Sequence, residues 1–154
     1  MSARTAEVRV AVPVQAPPEA VWSLATDWAR QREWMLGTEV HLVAGDGGAG
    51  SRLMAVTGLR GAGVVDHMTV VEWQPPRSCR VRHDGELVRG DGGFDVIRCG
   101  NGAATFVWWE RLVLPVGGGL LWPAVRPAFT WGLRRSLTGF AELCAAERDG
   151  SAGA

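Results

Sequence analysis

The chain has 154 residues, 47% of them apolar and 21% charged. That length suits one domain burying roughly 68–70% of its unfolded surface, and that balance excludes both a disordered tail and a membrane-embedded chain. Sixteen basic residues offset sixteen acidic ones, so no net positive field draws the chain toward phosphate backbones and no nucleic-acid partner is expected. All the basic residues are Arg, and Lys and Tyr are absent, which removes Schiff-base chemistry, a P-loop lysine and a phenolic general acid.

Residues 8–14 place Val at every second position, as a strand with one buried face requires. Residues 16–26 then read as a short helix, with Pro17 and Pro18 in its first turn and Val21, Leu24 and Ala25 at helical spacing. Asp27 is placed to cap a second short helix from Trp28 to Met35, which Gly37 ends and which turns Trp28, Trp34 and Met35 toward one apolar surface. Six strands follow at 38–44, 51–58, 64–73, 78–84, 87–98 and 103–114. Turn-forming stretches at 45–50, 61–63, 74–77, Gly85 and 100–102 separate them. After Gly117-Gly118-Gly119, the residues Val125, Phe129, Leu133, Leu137, Phe140 and Cys144 recur at helical spacing and predict a long amphipathic helix. Pro127 predicts a break or kink in it. The stretch 149–154, with its small and polar residues, reads as loose.

One strand, two short helices, six strands and a closing helix make an α+β chain whose sheet buries its inner face by curving around the last helix. This order resembles the helix-grip fold of the START-like, Bet v 1-like superfamily. The local phrases Ala16-Pro17-Pro18-Glu19-Ala20-Val21-Trp22, Trp34-Met35, Val70 through Arg77 and Ala104 through Trp109 are similar to those of its bacterial polyketide cyclase/dehydrase and lipid-transport branch. The resemblance covers residues 7–147 as a single domain, leaving 1–6 and 148–154 as loose termini. It implies a curved seven-stranded antiparallel sheet, an apolar cavity beneath the last helix, and a hydrophobic or aromatic small molecule (polyketide, lipid or sterol-like) as ligand. It implies no cofactor.

Alternation selects the residues that face such a cavity. In 79–84 the charged set is Arg80, Arg82 and Asp84, so Cys79, Val81 and His83 point inward. In the next strand Val88, Gly90, Gly92, Phe94 and Val96 do so. His83, on an apolar face, reads first as a hydrogen-bonded rim residue at the strand end, and as the alternative as a candidate proton donor or acceptor beside a ligand. Asp66 and His67 are adjacent on one strand and therefore point to opposite faces. They form no local dyad, and alternation does not choose which of them enters the cavity. Residues 106–112 are apolar or aromatic on both faces, so the Trp pair fills the core or a subunit contact while Glu110 and Arg111 pair with neighbours, or else Trp108 or Trp109 forms an aromatic wall with Glu110 or Arg111 as its polar anchor. The expected wall is Met54, Val81, His83, Phe94, Trp108, Glu110, Phe129 and Leu133. The catalytic candidates are His83, Glu110 and Asp66, and no constellation in the sequence decides between a carrier and a cyclase or dehydratase.

His41, His67 and His83 have no metal-ligand spacing, and Cys79, Cys99 and Cys144 form no CxxC, so no metal is expected and the thiols read as buried and inert. The first residues carry no long apolar run, so a cytoplasmic location is expected. The segment 117–126, with Leu120-Leu121-Trp122 beside Arg126, reads as the buried start of the capping helix. Its alternative is a peripheral membrane or protein contact. Monomer and homodimer both remain open.

Overall fold

The computed structural model describes residues 4–59 and 62–154. Of the residues expected to be loose, 1–3 lie outside them, as does the turn glycine Gly61, whereas Thr5 and Ala6 are ordered in the first strand. Seven strands, β1 (Thr5–Val14), β2 (Thr38–Ala44), β3 (Arg52–Leu59), β4 (Ala62–Gln74), β5 (Ser78–Asp84), β6 (Arg89–Cys99) and β7 (Ala103–Val113), form one antiparallel sheet. Its order is β1-β7-β6-β5-β4-β3-β2. Helix α1 (Pro18–Thr26) and a 3-10 segment, Trp28–Glu33, connect the two edge strands, and α2 (Gly118–Ala152) closes the chain. This is the helix-grip fold.

Consecutive strands from β2 onward pair as a meander through short turns. β1 instead pairs with β7, from Thr5 opposite Val113 to Val14 opposite Ala104. Every second residue of β1 from Ala6 to Val10 is buried, as the Val alternation requires. The curved sheet and α2 enclose an aromatic core: Phe140 of α2 stacks on Phe106 at 4.4 Å between centroids and meets Trp34 at 4.8 Å. Burying a side chain such as Phe140 contributes about 1.5–3 kcal/mol. A second cluster joins Trp22 of α1 to Trp73 and Phe94. A polar tie fixes the turn that follows the 3-10 segment to α2: the Leu36 N–H donates to Ser136 Oγ, whose hydroxyl donates to the Gly132 carbonyl.

Several expectations need correction. The second short helix is a 3-10 segment ending at Glu33, and Asp27 makes no capping hydrogen bond with its side chain. No break interrupts α2 at Pro127. Pro123 and Pro127 lie in its exposed first half, where water takes the carbonyls that lose their intrahelical donors. The helix also runs on to Ala152, through residues expected to be loose, because Ala, Glu and Arg outweigh the single Gly150 in helix propensity. Cys79 and Cys144 are buried as expected, but Cys99 is exposed near the β6–β7 turn. Leu120 and Leu121, read as the buried start of a capping helix, are 83% and 68% exposed.

Candidate functional site

Between the concave sheet and α2, beside the aromatic core, lies a cavity of about 390 Å³, within the usual range for small-molecule sites. Trp28 and Met35 wall it on one side and Phe129 and Leu133 of α2 on another; Leu53, Ala55, Val81, Phe94 and Trp108 supply the sheet floor. The exposed Leu36, Val64, Ala128 and Phe129 rim its mouth. The lining is predominantly apolar, and among the described residues its charged members are three: Asp66, His83 and Glu110.

These three meet. The His83 ring nitrogens Nδ1 and Nε2 lie 2.7 Å from Asp66 Oδ2 and 2.9 Å from Glu110 Oε2. The Trp108 indole N–H donates to the other Glu110 oxygen, Oε1, at 2.9 Å. The His83 side chain is 4% exposed, against 17% and 12% for the two carboxylates. Burial, the largest single influence on the imidazole, pulls its pKa down. The hydrogen bonds and charges of Asp66 and Glu110 more than offset this and raise it to about 10. His83 is therefore an imidazolium at neutral pH and donates to both carboxylates. One acceptor is left over: Asp66 Oδ1 is buried and has no hydrogen-bond partner among the described residues.

Strand register explains the meeting. His83 pairs with Gly90 and Val81 with Gly92 across β5 and β6, and Gly92 pairs with Glu110 across β6 and β7. His83 thus reaches Glu110 from two strands away, over Gly92. A Cβ there would fall 2.4 Å from Glu110 Oε2 and 2.9 Å from His83 Nε2, so glycine is what leaves room for the contact. Asp66 approaches diagonally from β4, where Met68 is the residue opposite His83.

Val81, His83, Phe94, Trp108, Glu110, Phe129 and Leu133 all lie on the cavity wall, and Asp66, rather than His67, faces inward. Met54 does not line the cavity. Its neighbours Leu53 and Ala55 are the buried residues of β3, so alternation sends Met54 to the outer face, opposite His41 and His67. Trp109 is also on the outer face, under the Arg80 guanidinium at 5.6 Å, and Arg111 pairs there with Glu7. The sequence reading missed Trp28, Met35, Leu53 and Ala55; the inward Gly92 was the available signal for the carboxylate–imidazole contact. Burial pushes the Cys79 thiol up to about 12, leaving it a poor nucleophile. Among the described residues, no three His, Cys, Asp or Glu side chains are arranged to hold a metal ion, and both His83 nitrogens are already engaged. A second groove, at Trp28, His41, Asp46 and Trp73, is broad and open and brings together no comparable polar cluster.

Comparison with known proteins bears on this site. The family described as polyketide cyclase / dehydrase and lipid transport matches residues 5–145. The chain belongs to this family. Among solved structures, TTHA0849 from Thermus thermophilus is 25% identical, with a TM-score of 0.73 over 92% of this chain and 99% of that one. The ZhuI aromatase/cyclase from Streptomyces sp. R1128 is similar in fold at 15% identity, with a TM-score of 0.70 over 92% and 94% of the two chains. Norcoclaurine synthase from Thalictrum flavum, in complex with a transition-state analogue, has a TM-score of 0.71 at 15% identity over 96% and 99%. No curated protein sequence matches the chain. Family membership supports ligand binding or cyclase activity in general. Among the described residues, no helix is long and apolar enough to cross a membrane.

Proposed function

We propose that the protein binds a largely apolar, aromatic small molecule carrying a hydroxyl group in the cavity beneath α2, and that the Asp66–His83–Glu110 cluster orients it and exchanges a proton with it. The observation that carries this reading is the unpaired acceptor Asp66 Oδ1 on a predominantly apolar wall. A buried acceptor without a donor costs about 1–3 kcal/mol, and a ligand O–H removes that cost. Covering about 200–400 Å² of ligand apolar area at about 25 cal/mol/Å² yields roughly 5–10 kcal/mol before the costs of association, enough for micromolar binding.

The cluster also supports turnover as the second reading. Of its two carboxylates, Glu110 has both oxygens engaged by donors and Asp66 has one free. Asp66 is therefore the base that removes a proton from a ligand hydroxyl, or from a carbon beside a carbonyl, while the His83 imidazolium holds it in place and opposes the charge. The apolar walls would keep a reactive chain folded, so that positioning lowers an intramolecular barrier. This makes a cyclase or dehydratase the favoured enzyme class.

Fluorescence titration with 2-naphthol and naphthalene tests the proposal, since Trp28 and Trp108 line the cavity and report occupancy. The wild type is expected to prefer the hydroxylated probe by about tenfold, the worth of one buried hydrogen bond. Asp66→Asn, which replaces one carboxylate oxygen by a donor, is expected to abolish the preference while retaining naphthalene binding. No saturable binding of either probe, or an unchanged preference in Asp66→Asn, overturns it.

A further inference from the structure

The first half of α2 has a face that the cavity does not use. Its inward side carries Ala128 and Phe129 at the cavity rim and Trp122 packed against Phe129 at 5.9 Å. Helical spacing puts Leu120, Ala124, Pro127 and Trp131 on the opposite side, one above another, with Leu121 alongside. All of these are exposed, Leu120, Leu121 and Trp131 by 83%, 68% and 66%, and Val116 just before the helix and Val125 within it are exposed as well. Apolar side chains gathered along about three turns of helix form a contiguous patch, which soluble surfaces rarely leave without an interaction to serve.

The charges that this stretch of the chain itself carries are of one sign. From residue 112 to residue 141 the sequence contains three arginines, Arg126, Arg134 and Arg135, and no Asp or Glu. Arg134 and Arg135 are exposed one turn beyond Trp131 and flank its stripe. Arg4 lays its side chain over Gly119 at the other end. An apolar stripe with Leu at one end, Trp at the other and arginines at its borders matches a helix lying in the plane of an anionic bilayer: Leu enters the acyl region, Trp sits at the headgroup level and Arg meets phosphates. A second copy of the chain is a poorer match. It would place arginines against a face that has no acidic residue to pair with them.

From this we infer that the exposed face of residues 116–135 docks the protein on anionic membrane surfaces, placing the rim residues Ala128 and Phe129 on the same two turns that touch the lipid. The inference goes beyond the ligand-binding proposal and stands without it.

Co-sedimentation with vesicles of phosphatidylcholine alone, and of phosphatidylcholine with about 30 mol% phosphatidylglycerol, tests this. The intact protein is expected to bind the anionic vesicles at least tenfold more tightly, with binding that weakens as salt rises. A Leu120→Glu/Leu121→Glu double variant is expected to lose binding. Arg134→Gln/Arg135→Gln is expected to lose most of the preference for anionic vesicles. None of these residues lines the cavity, so binding of 2-naphthol by the same variants serves as the fold control and is expected to match the wild type. Absence of wild-type binding to anionic vesicles, or equal binding by the Leu variant, overturns the inference. So does a dimer in sedimentation velocity that the Leu variant disrupts while vesicles capture nothing.

Discussion

The carboxylate–imidazole cluster makes stability depend on pH in a calculable way. The folded-state pKa of His83 is raised, from 6.5 to about 10, so the folded state holds the proton more tightly than the unfolded state. Its stabilising contribution is fully present below the unfolded value and is lost as pH rises through the folded one. At about 1.4 kcal/mol per pH unit, the full contribution is about 5 kcal/mol. Integrating between pH 6.5 and about 8.5 gives a loss of about 2 kcal/mol, or about 4–8 °C in Tm for a chain of this size. The window should stop there. Cys79 and Cys144, whose thiols burial raises to about 12, begin to destabilise the fold in the same direction once pH passes 9. The assay is urea unfolding at both pH values for the wild type and for His83→Gln, which cannot titrate at this position. The stability difference between the two proteins is expected to shrink by about 2 kcal/mol across the window. A difference that stays constant, or grows with pH, refutes the assignment of His83 as a buried imidazolium.

Gly92→Ala is expected to part His83 from Glu110, because its Cβ would fall 2.4 Å from Glu110 Oε2. It should destabilise by about 1–3 kcal/mol and flatten the pH dependence just described, both read from the same urea titrations. Phe140→Ala, which removes a ring packed between Trp34 and Phe106, is expected to cost about 3–5 kcal/mol by calorimetry. Leu53→Ala is expected to cost about 2–5 kcal/mol and Met54→Ala about 1 kcal/mol or less; equal costs would contradict the facing assigned to β3. Val81→Trp fills the cavity floor and is expected to weaken 2-naphthol binding at least tenfold while the protein remains folded by circular dichroism.

The fold was legible because its signals are local. The alternating Val of β1, the proline pair opening α1 and the helical spacing of Phe129, Leu133, Leu137 and Phe140 each depend on neighbours within a few residues. Facing within β5 was legible for the same reason, since Arg80, Arg82 and Asp84 mark the outer side and leave His83 inside. Facing in β3 was not, because Met54 is as apolar as the Leu53 beside it and hydrophobicity alone does not choose between them. Asp66 was undecided for a related reason. β4 has polar residues on both faces, and its pairing with β5 shifts register between Val70 and Glu72, so facing does not carry through from one end of the strand to the other. The meeting of Asp66, His83 and Glu110 depends on three long-range registers at once, and a single sequence does not encode registers in any local pattern. The exposure of Leu120 and Leu121 was hidden too, since the apolar spacing of a helix does not reveal which of its turns another element covers.

The central claim is that the cavity takes up a hydroxylated aromatic guest beside His83. Nitrogen-15 NMR of the histidine ring nitrogens, recorded during titration with 2-naphthol, tests it most directly, because His41 and His67 are exposed on the outer face and act as internal controls. The account predicts a saturable shift of the His83 resonances, with imidazolium values before ligand addition, while the other two histidines stay in place. A neutral His83, or ring signals that do not respond while 2-naphthol is shown to bind, would contradict it.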